Sequence, residues 1–194
     1  MVRPYEFNRD AVLEKAMILF WSKGFAATST EGLVETMGIG RQSLYNTFGD
    51  KRQLYLEALA AYLKRTTARH VQRLSRPASP IKGISNLLTE LIACDDRLRV
   101  MGCMGVGSVG EFGVSDPEIA AMRKAATPPL SACLVERLLE GQAKGEINPA
   151  LVPEEASAFI QLTMAGLQLA ARGGAAVKDL KKMARFAVDC LKAV

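Results

Sequence analysis

Histidine, cysteine and aromatic side chains are scarce in this sequence, and each shortage removes a class of function. His70 is the only histidine, so neither a conventional imidazole metal site nor a Ser–His catalytic pair is expected. Set among Arg69 and Arg73, it reads as a solvated surface residue. The four cysteines, Cys94, Cys103, Cys133 and Cys190, are widely spread and form no Cys-x-x-Cys pair; neither a disulfide framework nor a zinc site is indicated. No apolar run approaches the roughly 18 residues of a membrane span. The opening Met-Val-Arg-Pro-Tyr-Glu also lacks the basic-then-apolar pattern of a leader. A cytoplasmic protein with no cofactor and no membrane partner is the expectation.

The chain has 194 residues, 49% hydrophobic and 23% charged, an ordinary globular balance. Its net charge of +5 is unevenly placed: residues 1–76 hold 12 Lys or Arg against 7 Asp or Glu, and residues 77–194 hold 13 of each. A polyanion partner for the amino-terminal part alone follows, unless the bias is only a solvated surface.

The hydrophobic period is helical nearly throughout, and no alternating strand pattern of useful length occurs, so the fold class is all-α. Leu13, Ala16, Met17 and Phe20 mark a helix over about residues 9–23, ended by Lys23-Gly24. Thr28-Ser29-Thr30-Glu31 reads as a capping box with Thr28 as the cap. The short helix it opens carries Leu33 and Met37 and stops at Gly38. A second short helix, about residues 40–48, offers Leu44 and Phe48 to a core. Asp50 caps a long connector helix that begins at Lys51 and runs toward Pro77. Beyond it, Ile84, Leu87, Leu88 and Leu91 mark one helix and Ile119 another. Phe159, Ile160, Met164 and Leu167 mark a third, and Leu180, Ala184, Ala187 and Leu191 the last. Pro128-Pro129 predicts either a kink or a new helix capped by Thr127.

Two short helices around a glycine turn, with a third ahead of them, form a helix-turn-helix head. With Leu44 inward, Asn46 lies about 200° around the helix, on the opposite face with Gln42. Amide side chains pair with adenine through two hydrogen bonds, and Arg41 at the helix entrance suits guanine or a phosphate. Ser43 and Tyr45 flank this face. Thr28 and Lys51, at helix N-termini, are expected to take phosphates and to position the head.

Phe20-x3-Gly24-Phe25-x2-Thr28-Ser29, followed by Gly38-Ile39-Gly40-Arg41-Gln42-Ser43-Leu44-Tyr45-Asn46-Thr47-Phe48-Gly49-Asp50-Lys51, resembles the amino-terminal signature of the TetR family of regulators across roughly residues 8–60. Val34 and Met37 stand where family members often have Ala, and Gly40 where they often have Ser; none of the three is a proposed DNA contact. The resemblance implies a head at residues 1–50 with the connector at 51–76, and a ligand-binding and dimerisation body at 77–194. It further implies a homodimer paired through its last two helices, with Ala165, Gly166, Ala170 and Ala171 suited to close approach. The partners are then a palindromic double-stranded DNA operator and a small-molecule effector that relieves repression.

Gly105-Val-Gly107-Ser-Val-Gly110 spells a dinucleotide fingerprint, but no strand precedes it, so it is read as a thin helix, closely packed or beside a ligand entry. Cys103 resembles the thiol of family members that sense electrophiles or oxidants, and Arg97 and Arg99 would depress its pKa if turned toward it; the alternative is an inert buried thiol. Met104, Met122 and Met164 are either pocket lining or core. The rival reading is a thiol-dependent enzyme or ligand carrier built on Cys103.

Overall fold

The computed structural model describes residues 7–193, and the Met1–Glu6 stretch lies outside the described residues. Eleven helices follow one another among the described residues: α1 (Arg9–Lys23), α2 (Thr30–Met37), α3 (Arg41–Phe48), α4 (Lys51–Ser75), α5 (Pro80–Thr89), α6 (Asp96–Met101), α7 (Met104–Phe112), α8 (Pro117–Ala126), α9 (Pro128–Ala143), α10 (Pro153–Arg172) and α11 (Val177–Asp189). The only strand-like pairing among them is an isolated bridge between Ile147 and Lys192. No described helix is long and apolar enough to cross a membrane.

Polar residues set the helix starts. Asn8, Ser29, Asp50, Ser79, Asp95 and Asp116 each accept from an amide in the first turn of α1, α2, α4, α5, α6 and α8, satisfying donors that have no intrahelical partner. The cap of α2 corrects the expected capping box. Thr28 is 1% exposed and its hydroxyl donates to the Gly24 carbonyl at 2.6 Å, so Ser29 takes the cap, accepting from Gly32 N at 3.0 Å. At the double proline a new helix begins at Pro128. Thr127 does not cap it, because its hydroxyl is turned back to the Arg123 carbonyl.

Two hydrophobic clusters share α4. The head-side cluster joins Phe20, Leu33, Leu44 and Phe48 to Leu54, Leu59 and Tyr62, and takes in Met104 and Ile119 from the body. The body cluster begins at Leu74 and gathers α5, α9, α10 and α11 around Ile84, Leu134, Ile160 and Ala184. Head and body are thus fused along the first half of α4. Tyr55 carries this junction, packing on Phe25 at 5.1 Å and on Phe112 at 5.5 Å between ring centroids, and burial pushes its hydroxyl pKa well up.

Candidate nucleic-acid interface

The turn before α3 needs a left-handed residue, which Gly38 supplies at φ 71°; Lys15 of α1 donates to the Met37 carbonyl beside it at 3.3 Å. With α3 seated on the core through Leu44 (0% exposed) and Phe48 (3%), the opposite face is free. Arg41, Gln42, Tyr45 and Asn46 are exposed and Ser43 is half-buried. Gln42 Nε2 donates to Asn46 Oδ1 at 2.9 Å, so the two amides are held side by side. Each keeps both donor and acceptor capacity for a base edge. Arg41 faces Glu31 at 3.3 Å, both side chains largely exposed, a pairing that water weakens to little. Contact with the Tyr45 hydroxyl, and then Glu31, raises its pKa further, and the guanidinium stays charged.

The two expected phosphate positions differ from one another. Lys51 opens α4, its ammonium 4.2 Å from the centre of the Phe25 ring, while the carboxylate of Asp50 already occupies the Gln53 amide at 2.8 Å. Thr28 is withdrawn from the surface by its bond to Gly24, and Ser29 stands exposed in its place at the start of α2. The Thr28-to-Glu31 spacing put the sequence frame one residue early, since three successive hydroxyl residues each qualify as a cap.

The head is latched to the body by contacts that no sequence pattern signals. Glu111 at the end of α7 accepts from Phe25 N at 2.8 Å and Ala26 N at 3.2 Å. Trp21 Nε1 donates to the Gly102 carbonyl at 3.1 Å. Arg172 of α10 donates to Trp21 O at 3.3 Å and Met101 O at 2.9 Å. On the other side, Arg52 forks onto Asp116 at 2.7 Å and Glu118 at 2.8 Å.

In the body, Cys103 is half-buried beside the Tyr62 hydroxyl and lines two cavities, of about 190 and 240 Å³. Arg99 shares the first of these but turns Nη1 to Asp96 at 2.6 Å, and Arg97 is exposed. The four residues grouped as sensing candidates do not meet in one place. Met164 joins Cys103 in the second cavity. Met104 is buried in the head-side cluster, and Met122 lines a separate apolar groove of about 720 Å³ along α4. Close packing accounts for Gly102 and Gly105, where a methyl group would press on the Gln168 carbonyl and on Leu63; Gly110 faces open space.

His70 is half-buried rather than a fully solvated surface residue, contrary to the sequence expectation. It projects from α4 on the face of Tyr62 and Thr66, against the body. Its Nδ1 is buried without a hydrogen-bond partner among the described residues, and burial first, then Arg73 and Arg69, push its pKa down to about 4.

The model of the family described as "Bacterial regulatory proteins, tetR family" matches residues 12–58. The uncharacterized HTH-type transcriptional regulator YezE of Bacillus subtilis is 34% identical over 149 residues, 76% of this chain and 77% of that protein. The HTH-type transcriptional repressor ComR of Escherichia coli is 30% identical over 184 residues, covering 94% of this chain and 88% of that protein. Among solved structures, a cysteine mutant of the TetR family transcriptional regulator CifR complexed with 26bp double-strand operator DNA superposes with a TM-score of 0.79 at 30% identity, covering 96% of this chain and 98% of that one. The reduced form of Escherichia coli NemR shares the fold at a TM-score of 0.80 and 15% identity, covering 95% and 97% of the two chains.

Proposed function

Because the chain belongs to the TetR family of transcriptional regulators, we propose that it is a homodimeric repressor that binds a palindromic DNA operator through α3 and leaves it when an effector occupies the body. The observation that carries this reading is the outward face of α3, where Arg41, Gln42, Tyr45 and Asn46 stand exposed over a buried Leu44 and Phe48. Gln42 and Asn46 read bases, Arg41 takes guanine or phosphate, Ser43 and Tyr45 flank them, and Lys51 swings from the Phe25 ring onto the backbone. Thr28 serves through its bond to Gly24, by shaping the turn. DNA binding belongs to residues 1–50 with the first turns of α4, and effector binding and dimerisation to 77–194. As a regulator of this family the chain is not an enzyme, and the thiol-dependent enzyme reading lapses.

Dimerisation has support in the outer face of α10 and α11. Leu162 is 74% exposed, Phe186 63% and Leu169 62%, an apolar stripe of the kind that soluble proteins cover with a partner. Gly166 and Ala170 lie exposed within it, whereas Ala171 is buried in the body's own core and Ala165 is half-buried. Cys103, placed between two cavities and against Tyr62, is the thiol through which an electrophile would act, and the site of action is the cytoplasm.

Selection of duplexes from a random DNA pool tests the reading. A palindrome with half-sites about 34 Å apart is expected, with affinity for it reduced about tenfold or more in Gln42→Ala and Tyr45→Ala. Binding that is sequence-indifferent and equally salt-sensitive in all three proteins refutes it.

A further inference from the structure

The cavity beside Cys103 has a composition unlike that of an apolar effector pocket. Four arginines line it, Arg65, Arg69, Arg73 and Arg99, against one carboxylate among its described lining residues, Glu90. Three of these guanidiniums have fixed partners: Arg65 pairs with Glu14 at 2.8 Å, Arg73 with Glu90 at 2.9 Å and Arg99 with Asp96 at 2.6 Å. Arg69 pairs with no carboxylate among the described residues, so one positive charge at the wall is uncompensated.

Arg99 adds a directional element. Its side chain is 10% exposed, and Asp96 takes only Nη1. The edge formed by Nε and Nη2 is left without a partner among the described residues, and Nε is fully buried. A buried, unbonded Nε–H is costly, and with Nη2 beside it the edge matches the two oxygens of a carboxylate. Trp21, Tyr62, Leu91 and Leu98 supply aromatic and aliphatic wall to the same space of about 190 Å³, enough for a small molecule.

We propose that this cavity binds a small monocarboxylate, its anionic end held by Arg99 and Arg69 and its apolar end covered by Trp21, Tyr62 and Leu98, next to the Cys103 thiol. The inference rests on the reading of the body as the effector-binding part, and names the chemical class of the effector. The neutral state of His70 agrees with it, because an imidazole kept unprotonated among arginines adds no second positive charge to the site. A dicarboxylate would overfill the single uncompensated charge, and a neutral ligand would leave the Arg69 charge uncompensated.

The test uses the untagged full-length chain, in which His70 is the only imidazole and therefore an unambiguous magnetic-resonance reporter. Butyrate, hexanoate, benzoate and phenylacetate are titrated by calorimetry, each against its primary amide. At least one acid is expected to bind one per protomer and to raise the His70 pKa, with its amide about tenfold or more weaker. Arg69→Gln, at the exposed mouth, and Arg99→Lys, which keeps charge but loses the planar fork, each weaken the acid by a similar factor. Equal binding of acid and amide, no binding of any acid at millimolar concentration, or binding unchanged in both variants overturns the proposal. Release of the selected operator is measured separately. An acid that binds with these properties but leaves DNA binding intact refutes the effector reading and keeps the site. Release by amides as readily as by acids keeps the effector reading and removes the carboxylate.

Discussion

His70 gives the fold a measurable acid sensitivity. In the native chain its pKa lies near 4, depressed from 6.5 by burial and then by Arg73 and Arg69. Arg65, Arg99, Glu90, Tyr62, Cys103, Thr66 and Gln168 are further titratable or polar groups lining the same cavity. On unfolding the imidazole returns to water and to its ordinary value. Between about pH 6.5 and pH 4 the unfolded chain therefore holds a proton that the native chain does not, and stability falls as pH drops through this window. The contribution is fully present above pH 6.5 and lost below the native value. At about 1.36 kcal/mol per pH unit, the interval from 6.5 to about 4 sets a ceiling of about 3 kcal/mol. Urea unfolding of the wild type and of His70→Gln across this range isolates the term, because Asp116, Glu140 and Glu146, all shifted downward, titrate in both proteins. The variant loses less stability on acidification by up to about 3 kcal/mol. Parallel stability curves, or a His70 titration centred near 6.5 by magnetic resonance, refute the buried and unprotonated assignment.

Further outcomes follow from individual contacts. Thr28→Val strands the Gly24 carbonyl and lowers stability by about 1–2 kcal/mol while leaving operator affinity and its salt slope unchanged; a smaller salt slope would return Thr28 to the phosphate set. Gly83→Ala drives a methyl group into the Leu74 carbonyl oxygen, a backbone atom that cannot step aside. A loss of more than about 2 kcal/mol by thermal or urea unfolding is expected, and a normal melting temperature contradicts the close approach of α5 to α4. Leu162→Arg, at the most exposed apolar position of α10, gives a folded protein that sediments as a monomer; an unchanged dimer moves the interface elsewhere.

What the sequence made legible was whatever depends on local period. The inward Leu44 and Phe48 and outward Gln42 and Asn46 follow from helical geometry alone, and the main body helices announce themselves by apolar spacing. Three features needed tertiary knowledge. The partial burial of His70 comes from residues remote in sequence, Leu98 of α6 and Met164 and Gln168 of α10 among them, that line the same cavities, while its sequence neighbours Arg69 and Arg73 suggest solvent. The choice of Ser29 over Thr28 as cap depends on a carbonyl four residues upstream. The Glu111 latch joins a carboxylate to amides 86 and 85 residues away, a separation that no motif encodes. The sensing candidates scattered for a similar reason: Met104 is buried within the head-side cluster, whereas its neighbour Cys103 packs against that cluster and also lines the two cavities.

The sharing of α4 between the two cores turns an angle into a distance. Its 25 residues make a rod about 37 Å long, so a tilt of only about 5° about one end carries the other end through about 3 Å. Such a rod needs no bending and no unfolding to report on its surroundings. The wall it offers at Tyr62, Thr66 and His70 lies some way from the Asp50–Lys51 end that abuts α3. In a symmetric pair the displacement counts twice, once for each head. In the proposed dimer, a side-chain-sized adjustment at the cavity would be enough to put the two α3 helices out of step with a groove repeat of about 34 Å.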